Sequence, residues 1–152
     1  MGWFFGFKLH VIVNDQGELL AFMLTTGNTR DLSVVPDLVK GKITGKLFGD
    51  KGYLSQKLFE DLLDQGVQLI TKLRNNMKNR LMKIYDKLML RKRSIIETIF
   101  DQLKNIFQIE HSRHRSPANF VANLLSGPIA YSLRKKKPSV SIEKTGIKLL
   151  NI

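Results

Sequence analysis

Two acidic residues stand where a carboxylate could do chemistry. Asp50 follows a short apolar segment and precedes a turn, whereas Glu97 lies in a helical pattern, four residues after Arg93 and seven before Lys104. Carboxylate oxygens are the ligands that hard divalent cations prefer, and Arg and Lys side chains bind phosphates. A carboxylate between two cations could therefore bind a metal ion and hold a phosphate backbone.

Both carboxylates also have a purely structural interpretation. Asp often begins a turn, and Asp50 could do no more than that. Arg93 and Glu97 have i,i+4 spacing, so they could form an ordinary ion pair on a solvated helix flank, worth only a few tenths of a kcal/mol. The residue types alone leave these alternatives open.

The first half of the chain has the alternation and turn residues of β-strands. Phe4–Val13 and Glu18–Thr26 flank the turn Asn14–Gly17, which predicts a β-hairpin. Asp31 is the expected cap of a short helix over Leu32–Val39. One face of the first strand carries Phe5, Phe7, Leu9, Val11 and Val13.

A strand–helix–strand unit follows the hairpin. Lys46–Asp50 reads as a strand, Ser55 as the N-cap of a helix that ends before Gly66, and Val67–Lys72 as a second strand. This order predicts two parallel strands, with Asp50 at a carboxyl end, where sites form in open α/β sheets. The expected inner face of the helix is Leu58, Phe59, Leu62 and Leu63.

The second half of the chain is predicted to be helical from about Ile84. At about 100° per residue, Arg93, Glu97 and Lys104 fall on one edge of the apolar stripe of a long helix. Ser116 precedes a further helix, which Pro128 should kink or end. The apolar stripe consists of Ile95, Ile96, Ile99, Phe100, Leu103, Ile106 and Phe107.

Two further segments are polar and basic. Residues 74–80 are expected to form a mobile loop, and the residues from Arg134 onward are expected to be an unpacked basic tail. The division that follows is a folded domain over residues 1–133 and a flexible tail over residues 134–152.

Composition limits the classes of function. The 152 residues contain no cysteine, so disulfides, thiolate zinc sites and cysteine nucleophiles are excluded. No apolar run is long enough for a membrane span, and the N-terminus lacks the pattern of a signal peptide. With 25 Lys and Arg against 13 Asp and Glu, the net charge of +12 favours a polyanionic partner, most often nucleic acid.

Five segments together resemble the DDE transposases of bacterial insertion sequences, and specifically the nine-eighty-two family within the insertion-sequence-four-like assemblage. The similarity extends from about Phe4 to Pro138, and the order and spacing of the segments carry it. These segments are Gly6–His10, Gly27–Asp31, Gly49–Tyr53, Arg93–Glu97 and His114–Phe120.

The resemblance implies a fold and an activity. The expected fold is α/β, a ribonuclease-H-like mixed sheet with flanking helices. The implied reaction is cut-and-paste transfer of double-stranded DNA, transposon ends and target, with two Mg²⁺ ions in the complete site. Such ions activate the attacking oxygen and stabilise the leaving oxygen. Transposases commonly act as dimers, and the implied location is the bacterial cytoplasm at the nucleoid, away from membranes.

The resemblance also assigns residues. Asp50 and Glu97 match the second and third catalytic acids, which bind the metal ions. Arg93, Glu97 and Lys104 match the family's Arg-x3-Glu-x6-Lys spacing, and the two cations would position DNA phosphates. Leu90 stands where the family has a tyrosine. Two further basic residues near the last helix, Arg113 and Arg115, are expected to contact DNA or to be solvated.

The first catalytic Asp of the family lies on a strand before Phe4–Val13, and neither Asp15 nor Asp31 matches it. The sheet is therefore expected to lack its first, central strand, and the chain to be inactive alone. The alternative arrangement is that the hairpin strand closes directly onto Lys46–Asp50. A non-catalytic DNA-binding or regulatory fragment remains the alternative function, and a decayed gene product that does not accumulate is a further one.

Overall fold

The computed structural model describes residues 6–73, 81–110 and 113–140. The expected loop at residues 74–80 lies outside these ranges. Two short 3₁₀ helices cover Lys51–Tyr53 and Lys92–Ser94. The longer elements are β1 (Phe7–Val13), β2 (Leu19–Thr26), α1 (Asp31–Val39), β3 (Gly45–Gly49), α2 (Gln56–Asp64), β4 (Val67–Thr71), α3 (Ile84–Arg91), α4 (Ile95–Asn105) and α5 (Pro117–Ser132).

The chain divides into two compact units. The first contains Met1–Ile12 and Leu20–Arg91, and the second contains Val13–Leu19 and Lys92–Ile152. The first unit therefore holds most of the strands, and the second holds the tip of the hairpin with α4 and α5.

The α/β class is confirmed, but the described strands do not form one mixed sheet. β1 pairs with β2, and β3 pairs with β4, as two separate two-stranded sheets. The second pair is parallel, as expected, from Gly45 opposite Val67 to Gly49 opposite Thr71. Among the described residues, the hairpin strand does not pair with β3. The two sheets contact each other through side chains and share no backbone hydrogen bonds between strands.

Helix α1 connects the two sheets of the first unit. Its residues Val35 and Val39 pack in one buried cluster with α2 and β4, while Val34 and Leu38 pack in another with the hairpin. Ile43 and Leu47 pack against both clusters. The apolar residues of α1 therefore pack against the hairpin on one side and against α2 and β4 on the other, which gives the first unit a continuous apolar core.

The buried face of β1 is the opposite one from the apolar face that the sequence suggests. Ile12 is buried and packs with Ala21 beneath α1, on the same side of the strand as His10. Phe7, on the other side, is 53% exposed. The covered face also carries Lys8 and His10, so the position of α1, and not the apolar alternation along β1, decides which face is buried.

The start of α1 differs by one residue from the prediction. Arg30 is the N-cap residue and makes no side-chain cap hydrogen bond, whereas Asp31 is the first residue of the helix. The carboxylate of Asp31 accepts a hydrogen bond from Nζ of Lys8 at 3.2 Å. Its negative charge still lies in the first turn, where the helix dipole favours it.

The boundaries of α2 were predicted correctly. Oγ of Ser55 accepts a hydrogen bond from the N–H of Leu58 at 3.4 Å, and Gly66 follows the helix with a φ of +77°. That conformation suits glycine at the end of a helix. The inner face is narrower than expected, because Leu63 is 53% exposed while Leu58 and Leu62 are buried.

The long helix predicted around Glu97 is interrupted. The 3₁₀ helix Lys92–Ser94 separates α3 from α4, so Arg93 does not lie on the same regular helix as Glu97. The stripe of α4 is also shorter than predicted. Ile99 and Leu103 are buried, but Ile106 is 56% exposed at the end of the helix.

Helix α5 begins at Pro117, as predicted, although Ser116 makes no side-chain cap hydrogen bond. Pro128 does not end the helix, which continues to Ser132. Pro128 is fully buried. Its packing offsets the hydrogen bond that a proline removes from a helix.

The first residues of the basic tail are packed, unlike the expected free tail. Nζ of Lys137 donates hydrogen bonds to the carbonyl oxygens of Ser132 and Arg134, at 2.9 and 2.7 Å. The N–H of Val140 donates to the carbonyl oxygen of Asp15 at 2.7 Å. The chain therefore returns to the hairpin turn within the second unit. The rest of the tail, from residue 141, lies outside the described residues.

Among the residues that the structure describes, every helix is too short or too polar to cross a membrane.

Candidate functional site

Asp50 lies immediately after β3, at the carboxyl end of the parallel strand pair. It is the N-cap of the 3₁₀ helix Lys51–Tyr53, and its Oδ1 accepts a hydrogen bond from the N–H of Lys51 at 2.7 Å. Its carbonyl oxygen accepts from the N–H of Tyr53 at 2.9 Å. Asp50 therefore does begin a turn, as the structural interpretation expects. A carboxylate has about four acceptor positions, so this role is compatible with metal binding.

Close packing around Gly49 positions Asp50. A Cβ added at Gly49 would lie 3.3 Å from Cβ of Tyr53 and 3.5 Å from Cγ2 of Thr71. The 3₁₀ helix thus folds closely over the end of the strand, and the missing side chain at Gly49 makes room for it. The result is an exposed carboxylate on a backbone held by the sheet.

The register of the parallel strands places a cation beside Asp50. Gly49 is opposite Thr71, so the next residues of the two strands, Asp50 and Lys72, leave the sheet at the same edge. Both are exposed. Sequence analysis did not select Lys72, although the predicted parallel pairing of the two strands was enough to place it there.

Glu97 lies in the first turn of α4 and is exposed. A carboxylate at this position is favoured by the helix dipole, which adds a structural reason for an acidic residue there. Ile99 and Leu103, on the buried side of α4, hold the helix in the second unit. Glu97 is therefore on a fixed helix with its side chain toward solvent.

The cations that accompany Glu97 have different environments. Arg93 is half-buried in the 3₁₀ helix that precedes α4. Lys104 is exposed in the last turn of α4, and its Nζ lies 2.7 Å from Oε1 of Glu110. Arg113 and Arg115 are exposed in the segment that leads into α5.

The structure thus assigns the selected residues to different units. Asp50 belongs to the first unit, and Glu97 with all four selected basic residues belongs to the second. No group of three or more His, Cys, Asp or Glu side chains that could hold a metal ion occurs within residues 6–73, 81–110 and 113–140.

One pair that sequence analysis missed is buried. Asp86, in the first turn of α3, is 6% exposed and accepts hydrogen bonds from Nζ of Lys46 on β3. Asp86 lies between Tyr85 and Lys87 in the sequence, and the residue pattern of so short a helical segment does not indicate which face is buried. Its partner is 40 residues away, beyond the reach of helical periodicity.

Comparison with known protein families shows which family the chain belongs to. A family model described as the transposase DDE domain matches residues 1–117, which is more than three quarters of the chain. The chain belongs to the transposase DDE domain family. The matched region includes every residue selected above as a metal ligand or DNA contact.

Family membership supports a role in transposition, with DNA as the general partner. Members of this family generally use a divalent metal ion. The match ends at the first residue of α5. No curated protein and no solved structure gave a significant match.

Proposed function

We propose that this chain forms part of the catalytic domain of an insertion-sequence transposase of the nine-eighty-two type, with a ribonuclease-H-like fold, and that Asp50 and Glu97 are metal ligands of its active site. The observation that carries the proposal is the position of Asp50, in a chain of the transposase DDE domain family. It is an exposed carboxylate at the carboxyl end of a parallel strand, next to a glycine that lets the following turn close tightly.

The donor chemistry of the two side chains fits Mg²⁺. Both are carboxylates, and Mg²⁺ usually binds through one or two carboxylates together with phosphate oxygens and water. When bound, two such ions would activate the attacking oxygen and stabilise the leaving oxygen of an in-line displacement at phosphorus. Asp50 and Glu97 would each hold the ions through oxygen, and the exposure of both side chains leaves room for DNA.

The basic residues supply affinity for the DNA backbone in this proposal. Arg93 and Lys104 flank Glu97 along the chain, and Arg113 and Arg115 are exposed before α5. Arg can bind a phosphate through two parallel hydrogen bonds, whereas Lys acts as a point charge. The ion pair between Lys104 and Glu110 would have to open or to shift before Lys104 could bind a phosphate.

The complete site needs a third acidic ligand in this proposal. The described residues do not contain a cluster of three candidate ligands, and neither Asp15, in a turn, nor Asp31, in the first turn of α1, follows a strand as Asp50 does. We propose that the third carboxylate comes from a strand that pairs between the two separate sheets. The 152-residue chain is therefore expected to bind DNA without cutting it.

The test is metal-dependent nicking of supercoiled DNA. The chain is expressed alone and together with any reading frame that precedes its Met1 codon and encodes a strand bearing an Asp. We expect nicking in Mg²⁺ from the extended protein only, and loss of nicking with EDTA, Asp50→Asn or Glu97→Gln. Nicking that survives both substitutions would contradict the assignment.

A non-catalytic, DNA-binding role is the second candidate, and the distribution of acidic residues favours it. With no three-ligand cluster in the described ranges and a net charge of +12, the chain could occupy transposon DNA or associate with a full-length relative without cutting DNA. Binding of this kind should survive EDTA and Asp50→Ala, and it should weaken steeply as salt rises.

A further inference from the structure

A stripe of cations runs along the exposed side of α3, in the first unit. Lys83, Lys87 and Arg91 are spaced four residues apart, and all are exposed. Lys83 directly precedes the helix, and its carbonyl oxygen accepts the N–H of Lys87 at 3.1 Å, so the helical spacing includes it. Neither the family match nor the residues selected from the sequence assign a role to these side chains.

Three other residues of α3, Asp86, Leu88 and Leu90, are buried and hold the helix in the core. Leu88 and Leu90 are 8% and 4% exposed. The buried carboxylate of Asp86 binds Nζ of Lys46 at 2.7 and 3.0 Å. Because Lys46 is on β3, this ion pair fixes the rotation of α3 about its axis. The stripe is therefore held toward solvent, so less conformational freedom is lost when it binds a partner.

The spacing of the stripe suits a regular polyanion. Four residues of α-helix rise about 6 Å, so the three side chains span about 12 Å of helix axis. They lie within about 80° of the helix circumference, since each step of four residues turns about 40° past a full turn. A DNA strand places one phosphate per about 3.4 Å of its axis, so one strand offers three or four phosphates over that length.

We infer that the exposed side of α3 is a DNA-backbone binding surface formed by Lys83, Lys87 and Arg91, and that its partner is double-stranded DNA. The identity of the polyanion rests on the proposed function, while the surface rests on the geometry of α3. The net charge of +12 and the three exposed cations of the stripe favour a phosphate backbone over an apolar partner. The contacts are to phosphate, so binding through α3 carries no base specificity.

The test measures the salt dependence of DNA binding by the 152-residue chain. Fluorescence anisotropy with a labelled duplex of arbitrary sequence gives the dissociation constant at several salt concentrations. The test variant is Lys83→Gln, Lys87→Gln and Arg91→Gln together. The matched control is Lys40→Gln, Lys42→Gln and Lys57→Gln, which removes the same charge from other exposed positions of the first unit.

We expect the slope of log K against log salt to become shallower by about two to three units in the α3 variant, because each phosphate contact contributes about 0.9. The control should change the slope by less than about one unit. A second variant, Lys83→Arg, Lys87→Arg and Arg91→Lys, should retain the original slope. Circular dichroism checks that each variant is folded.

Equal slopes for the α3 variant and its control would overturn the inference, as would an α3 variant with an unchanged slope or a chain that does not bind the duplex. These results are separate from the nicking assay. A slope change without nicking by the extended protein would retain the α3 surface and reject the metal site, whereas nicking with an unchanged slope would do the reverse.

Discussion

Nζ of Lys46 lies 2.7 and 3.0 Å from the two carboxylate oxygens of Asp86. Asp86 is the one charged residue that is buried in the part of the chain that the structure describes. The pair joins β3, whose carboxyl end leads into Asp50, to α3. It therefore connects the strand that positions the candidate metal ligand to the helix that carries the proposed DNA-binding surface.

Removing the acidic partner of this pair should destabilise the first unit. We expect Asp86→Ala to lower the free energy of unfolding by about 2–3 kcal/mol, below the range for fully buried pairs because Lys46 is partly exposed. Replacing both partners, by Lys46→Met with Asp86→Leu, should restore stability to within about 1 kcal/mol.

Urea unfolding, followed by circular dichroism, measures the free energy of unfolding of Asp86→Ala and of the double variant. Asp37→Ala, at an exposed position on α1, is the control and should change the free energy by less than about 0.5 kcal/mol. If Asp86→Ala behaved like that control, the ion pair would not be what fixes α3.

The buried hydroxyl of Tyr131 predicts a loss of stability at high pH. Tyr131 is fully buried, and its hydroxyl donates a hydrogen bond to the carbonyl oxygen of Gly17 at 2.7 Å. Burial raises the pKa of Tyr131 above its ordinary value, and the charge of Arg134 only partly opposes this. The folded state therefore keeps the proton while the unfolded state releases it near pH 10.

The contribution of the Tyr131 hydroxyl to the free energy of unfolding is complete below pH 10. It decreases as the pH rises from 10 through the raised pKa of Tyr131 in the folded state. Tyr131→Phe should lower the free energy of unfolding by about 1 kcal/mol at pH 7. The difference from the unaltered chain should narrow above pH 10. Tyr85→Phe, at an exposed site, is the control, because it removes a tyrosine hydroxyl that is not buried while all other titrating groups remain. A constant difference across this pH range would contradict the prediction.

Gly127 lies at a close packing contact in the second unit. A Cβ at this position would overlap Cγ2 of Ile109, and Ile109 is itself buried. We expect Gly127→Ala to lower the free energy of unfolding by about 1–3 kcal/mol through overpacking. Gly52→Ala is the matched control, because a Cβ there would meet no atom within 4 Å. Equal thermal midpoints for the two variants would contradict the packing at α5.

The response to EDTA separates the two candidate functions. If the chain acts only by binding DNA, its affinity for a duplex should be the same with Mg²⁺ and with EDTA at matched ionic strength. If Asp50 and Glu97 hold metal ions against the DNA backbone, EDTA should weaken binding, because the ions add contacts to phosphate. Anisotropy titrations with and without EDTA, repeated with Asp50→Asn, distinguish these outcomes.

The parallel strand unit could be predicted from the sequence because each of its boundaries has a local chemical cause. Ser55 caps α2, Gly66 follows it in a left-handed conformation, and the strands on either side begin and end within one residue of the predicted bounds. Asp50 could be placed at a strand end for the same reason. These features depend on neighbouring residues along the chain.

The features that sequence reasoning missed depend on residues far apart in the sequence. The buried face of β1 depends on where α1 packs, because α1 covers the side that carries Ile12 and not the more apolar side that carries Phe7. The break at Arg93 has no local signal that outweighs helical periodicity. At Pro128 the local signal favours an end of the helix, but the buried packing of Pro128 within the fold outweighs it. The contact between the tail and the hairpin turn joins Val140 to Asp15, which no periodicity predicts.

The central claim, that Asp50 and Glu97 bind the same metal ions, has a direct test. Fe²⁺ is added to the chain in place of Mg²⁺, with ascorbate and peroxide, so that hydroxyl radicals cut the backbone close to the bound metal. Mass spectrometry then identifies the cut positions. Asp37→Asn and Glu60→Gln, at exposed positions of the first unit, are the controls.

We predict cuts near residue 50 and near residue 97, and the loss of both groups of cuts with either Asp50→Asn or Glu97→Gln. The control variants should retain both groups, because they leave the proposed ligands unchanged. Cuts that persist in these two variants, or that disappear near one residue and remain near the other, would contradict a shared metal site.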